Sequence, residues 1–256
     1  MTIDTGVRTP LVEMFRRGNV ETDIRMMAAQ GILAPRGHEQ LALLAMLVDD
    51  EDAAVSTAAR ETIAEIPPDR LAAFVARPEV PTELRNFFAT DRADAAVSPA
   101  ASDGPLVDKA PPVAAEPAEG EQGSALQRIS SMNVAQRLNL AMKGSREERA
   151  ILIRDPNKIV AAAVLSSPKL TEMEVEGISR MANVSEDVLR IISANRAWMK
   201  NYQVALALAK NPKTPIAVSM NLLARLTERD LKMISTDRNV PDVLRVSARK
   251  RVVIEK

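Results

Sequence analysis

"NVSEDVLR" at residues 183–190 and "NVPDVLR" at 239–245 are nearly one phrase, written twice in the chain. The agreement extends well beyond the phrase. The offset that carries Asn183 onto Asn239 also carries Asp155-Pro156 onto Asn211-Pro212, and Leu170-Thr171-Glu172 onto Leu226-Thr227-Glu228. Ile178 and Ile234 keep it too, while the final segment falls one position short, the mark of a single deletion. A chance motif does not hold register across so many turns, so the chain reads as internally repeated. A looser third copy lies upstream. "VPTELR" from Val80 matches "VPDVLR" from Val240, which sets Leu71 on Leu231 and Phe74 on Ile234.

Inside the long repeat runs a shorter rhythm, with breaks near Pro156, Pro168, Asn183, Asn195, Asn211, Leu226 and Asn239. Between breaks the apolar residues recur with a helical period, and no run alternates as a half-buried strand would. "HEQLALLAMLV" sets Leu41, Leu44 and Leu47 on one face, and "DAAVSTAARETI" follows it. "ETDIRMMAAQ" predicts a helix that Gly31 ends with positive φ. "PPDRLAAFVA" and "PTELRNFFA" carry proline where a first helical turn tolerates it. Ser145 with Glu148, and Thr171 with Glu174, have capping-box spacing, and Ser185 is a cap candidate. "NVAQRLNLAMKG" stops at Gly144. One short helix cannot bury its apolar stripe alone, so stacking of helix pairs into a small all-α solenoid is expected.

"DPNKIVAAAVLSSP", "NPKTPIAVSMNLLA" and "DRNVPDVLRVSARK" resemble helical repeats of the HEAT-like and leucine-rich-repeat-variant type. The residues that carry the resemblance are Asp155, Pro156, Asn211, Pro212, Asp237, Val240 and Arg245, over most of 130–250 and more weakly over 38–88. The match departs from the family pattern where the usual "VR" is "VLR" and in its uneven units. The resemblance implies a repeat surface used for binding, and no particular reaction. The iron–sulfur cluster that accompanies some variant repeats would have no thiolate ligands here, since cysteine is absent.

Organisation follows from composition. The stretch 91–125 is rich in Ala, Pro, Gly, Ser and acid, with no period, and reads as a flexible acidic tether. It divides a helical module at 8–90 from another at 126–252. "PPVAAEP" within it suggests at most a short polyproline segment. Charge divides likewise. Through Gln122, 11 Lys or Arg stand against 21 Asp or Glu, leaving 23 against 13 beyond it. The two halves could attract each other, or the basic one could meet a nucleic acid, a lipid headgroup or an acidic protein. The N-terminal "MTIDTGVRTP" lacks a signal peptide's pattern, and no apolar run is long enough to predict a membrane span. With no cysteine, a cytoplasmic location is expected.

Chemistry is sparse. His38 is the lone histidine, so no histidine pair completes a metal site, and it reads as a helix-start residue. "DDEDAA" from Asp49 lacks the glycine and ligand spacing of a calcium loop and suits the next helix N-terminus. Glu172 and Glu176 share a helix face as exposed carboxylates. There is no phosphate-binding loop or nucleophile elbow. The expectation is a protein without catalytic, cofactor-binding or metal-ligating residues. Trp198 and Tyr202, four apart, are predicted on one helical face, as core at the repeat junction or as a partner anchor. Arg146, Arg149, Arg154, Lys158, Arg245 and Arg249 are the candidate basic contacts. Met142, Met181, Met199, Met220 and Met233 read mostly as core. The expected role is a scaffold or adaptor for a protein partner, with phosphate binding by the basic module as the alternative.

Overall fold

The computed structural model describes residues 4–18, 20–33, 36–88, 102–109 and 122–254. Among them the regular structure is all helical, with no strand. The chain divides into two compact units, one of residues 1–149 with 166–169, the other of 150–165 with 170–256. No helix among the described residues is long and apolar enough to cross a membrane.

The first unit opens with α1 (Pro10–Arg16), α2 (Thr22–Ala29), α3 (Gly37–Leu47), α4 (Ala53–Glu65), α5 (Pro68–Val75) and α6 (Thr82–Phe88). α7 (Gln122–Ser130), α8 (Val134–Lys143) and the start of α9 (Arg146–Leu152) complete it. α3 is the hub, packing on α1, α2, α4 and α6. Its apolar surface is broader than the one face expected, because every residue from Glu39 to Leu47 is buried. Helices apolar all round belong at the centre of a core. The turns between these helices follow local chemistry. Gly31 takes φ +74° after α2, a conformation that costs other residues a Cβ clash. Asp52 caps α4 through the Ala54 amide, and Asp50 pairs with Arg25 at 3.1 Å. The "DDEDAA" acids therefore serve a helix start and an ion pair.

The second unit holds α10 (Lys158–Ser166), α11 (Glu172–Arg180), α12 (Glu186–Ala194), α13 (Tyr202–Lys210), α14 (Ile216–Leu222), α15 (Glu228–Thr236) and α16 (Asp242–Ile254). Each predicted cap is formed. Thr171 and Glu174 make a reciprocal box, Ser185 accepts from Val188 N, and Glu148 Oε2 accepts from Ser145 N at 2.8 Å. The Asn and Asp residues at the breaks act through one device. Asp155, Asn195, Asn211 and Asp237 each accept, at 2.8–2.9 Å, the amide two positions on. Such Asx turns supply a partner for an amide that a helix has just abandoned. Asn211 does more: its buried amide donates to Ser179 O and Met181 O at 2.8 and 2.9 Å, tying α13 to the end of α11.

The spacing read from sequence reappears in the helices. α11 leads α15 by the offset between Asn183 and Asn239, and α12 leads α16 by that same offset. Val184, Val188 and Ile192 are buried where Val240, Leu244 and Ala248 are, so the one-residue deletion expected at the final helix is not seen in the helix starts. α5 and α6 likewise precede α15 and α16 by one shared interval, that of Val80 to Val240. The burial pattern of residues 74–88 matches that of 234–248 position for position, with Phe74, Val80, Leu84 and Phe88 buried where Ile234, Val240, Leu244 and Ala248 are.

Candidate functional site

An organised polar arrangement lies on α3 and α5, under a segment expected to be part of the tether. Most of 91–125, including "PPVAAEP", lies outside the described residues. Residues 102–109 are the exception, and they run across the N-terminal helices as a strap. The reason is a set of partners far back in the chain, at the start of α3, which composition does not register. Gln40, almost fully buried on α3, reads the strap backbone with its side-chain amide. Its Oε1 accepts from Leu106 N at 2.7 Å and Val107 N at 3.0 Å, and its Nε2 donates to Val107 O. Leu106 is buried at 4% exposure.

Asp103 anchors the other end of the strap. His38 Nδ1 lies 2.6 Å from Asp103 Oδ2, His38 N donates to the same carboxylate, and Gly37 N donates to Asp103 O at 2.9 Å. Arg77, just beyond α5, stands 3.8 Å from Asp103 Oδ1, and its guanidinium lies over the Phe74 ring, 5.3 Å from the centroid. Burial acts to raise the Asp103 pKa, but the His38 hydrogen bonds and the Arg77 charge outweigh it, holding the carboxyl below its usual range. Gly37 is required by this close approach. A Cβ there would lie 2.5 Å from the Phe74 ring and 2.8 Å from Gly104 O. Arg70 donates to Pro105 O at 3.0 Å, and Lys109 and Asp108 pair with Glu65 and Lys143.

Beside the strap lies a recess of about 340 Å³, walled by Val7, Thr9, His38, Arg77, Pro81 and Asp103 among others. Glu39 sits fully buried in the first turn of α3. Neither of its oxygens has a well-formed hydrogen bond, and burial pushes its carboxyl up, with the Thr9 hydroxyl acting the other way. No group of three potential metal ligands occurs among the described residues. His38, read from sequence as a helix-start or surface residue, lies half-buried in the first turn of α3 and also carries the strap contact. Sequence reasoning missed Gln40, which follows His38 and Glu39 in the polar first turn of α3 and is marked as a docking residue only by its distant partners.

The residues singled out on the C-terminal side are divided between the two units and engage separate local partners. Trp198 and Tyr202 do not share a helix: Trp198 lies in a 3-10 turn (Trp198–Lys200), and Asn201 ends it and caps α13. Both are half-buried, and the Tyr202 hydroxyl donates to Asp230 at the start of α15. Arg149 is not a surface cation. It is buried, donating to Gly144 O at 2.9 Å and Lys169 O at 3.3 Å. Arg146 and Arg154 are exposed, and Arg154 donates back to Ala150 O. Lys158 pairs with Asp187 at 2.8 Å, Arg245 pairs with Asp242, and Arg249 donates to Ser235 O. Of the methionines, Met142 and Met199 are buried, Met181 and Met220 half-buried, and Met233 is 44% exposed.

Set against models of known families, characterised proteins and solved structures, the chain matches none.

Proposed function

We propose that the chain is a non-catalytic adaptor of HEAT-like helical repeats, which binds a protein partner by holding an extended segment against its helices. The observation that carries this reading is the strap. A stretch without regular structure lies on α3 and α5 by paired main-chain hydrogen bonds, one buried leucine and one balanced carboxylate. Peptide recognition commonly divides its labour in this way, with backbone bonds for affinity and pockets for selection. The repeats would supply the rigid frame, since each short helix gains its stability from neighbours. The basic residues favour this over phosphate binding, because most of those named above are engaged with nearby carboxylates or carbonyls.

The test sets the two classes of partner side by side. A library of short displayed peptides is panned on the full chain, and a labelled DNA oligonucleotide is titrated at low and moderate salt. The reading expects enriched peptides that share an apolar anchor, with weak DNA binding. Failure to enrich any peptide, together with tight and steeply salt-dependent DNA binding, would replace it.

A further inference from the structure

The adaptor reading leaves open what the N-terminal surface selects. We infer that the ground beneath residues 102–109 is a recognition groove for extended segments of the pattern Asp-x-Pro-Leu-Val. The chain's own copy fills it in cis, and a partner segment of the same chemistry displaces that copy. This inference rests on the adaptor reading.

Each position of the pattern has a physical reason. The acid is read by the His38 side chain and amide and by the Arg77 charge, while Gly37 N takes its carbonyl. The next position is permissive. A Cβ added at Gly104 would meet nothing closer than Ser102 Oγ at 3.8 Å, ordinary van der Waals distance. Proline suits the third position because it brings no amide needing a partner, and Arg70 takes its carbonyl. Leucine fills the buried position. Valine passes over Gly31, where a Cβ would come within 3.3 Å of its methyl, and Gln40 closes on its amide and carbonyl. The flanking pairs of Asp108 and Lys109 are exposed at the surface and add little selection.

The frame is not specific to this use. The α15–α16 pair has the same burial pattern, yet Asp237 stands where Arg77 does and keeps to its own turn, accepting from Asn239 N. Arg77 instead reaches an acid beyond the end of α6. A segment tethered in cis sees its site at an effective concentration on the order of millimolar. A partner's apparent affinity is therefore reduced in proportion to the groove left open.

The experiment uses the full chain and a labelled synthetic peptide, SDGPLVDK, followed by fluorescence anisotropy. In the double variant Asp103→Ala with Leu106→Asp the cis copy is disabled and the groove untouched. That variant is expected to bind the peptide at least about 10-fold tighter than the unmodified chain. Adding Gln40→Ala should abolish the gain. Replacing the peptide's leucine by aspartate should cost about 10-fold or more, and replacing its glycine by alanine less than about 3-fold. Circular dichroism checks that each variant is folded, and Asp103→Asn alone makes the comparison if the double variant is not. A folded variant that binds no tighter than the unmodified chain overturns the inference, as does equal binding of a scrambled peptide. If panning enriches peptides indifferent to the acid and the leucine, the inference fails while the adaptor reading stands.

Discussion

The α5–α6 pair and the α15–α16 pair share one spacing and one burial pattern and differ in what their turns contact. Their helix starts keep a common interval, and from Phe74 to Phe88 and from Ile234 to Ala248 they share one pattern of burial. The buried set is aliphatic in the later pair and includes Phe74 and Phe88 in the earlier one. In α15–α16 the polar work is local: Thr227 caps α15, Asp237 closes its own turn, and Arg245 pairs with Asp242. In α5–α6 the corresponding turn faces a distant segment, and Phe74 and Arg77 together meet Gly37 and Asp103. A frame set by buried positions leaves its turn residues free to differ, and recognition can be written into those residues without disturbing the frame.

The largest expected effects test that equivalence. Phe74→Ala should cost about 3–5 kcal/mol of unfolding free energy and Ile234→Ala about 2–5 kcal/mol. Both are core losses measurable by urea denaturation, and only the first should also loosen residues 102–109 in hydrogen exchange. Equal loosening by both would break the comparison. Asn211→Ala comes next, at about 1–3 kcal/mol, because it strands the buried carbonyl of Ser179 and the partly buried one of Met181. Thr171→Ala removes one cap from α11 and should cost about 1 kcal/mol. The smallest effect is a slope. Burial raises the Glu39 carboxyl in the folded state, so its stabilising contribution is complete below the ordinary Glu pKa and is lost as pH rises through the raised value. Glu39→Gln should therefore flatten the fall in Tm from acid to neutral pH, measured by thermal melts across that range. An unchanged slope would contradict the assignment.

The helices were legible because their signals are local. Capping boxes at Ser145 and Thr171, the breaks near Pro156 and Asn211, and the stop at Gly31 each involve atoms close together along the chain. The strap was not legible, since Gln40 and Leu106 are far apart in the chain and neither carries a local signal. Composition assigned 102–109 to a tether because it weighs the average polarity of a stretch. One leucine and one acid with partners waiting are enough to dock it. The pairing of Trp198 with Tyr202 failed for a different reason: Asn201 interrupts the helix between them, acting as end of one turn and cap of the next. Arg149 was misplaced because a buried arginine with two carbonyl acceptors looks, in sequence, like any surface cation.

Amide hydrogen exchange of Leu106 and Val107 in the full chain, with and without Gln40→Ala, reaches the central claim most directly. Slow exchange at both amides that becomes fast in the variant, while α15 and α16 remain protected, is the predicted result. Exchange at unstructured rates in the unmodified chain would show that nothing holds the segment, and the recognition account would fall with it.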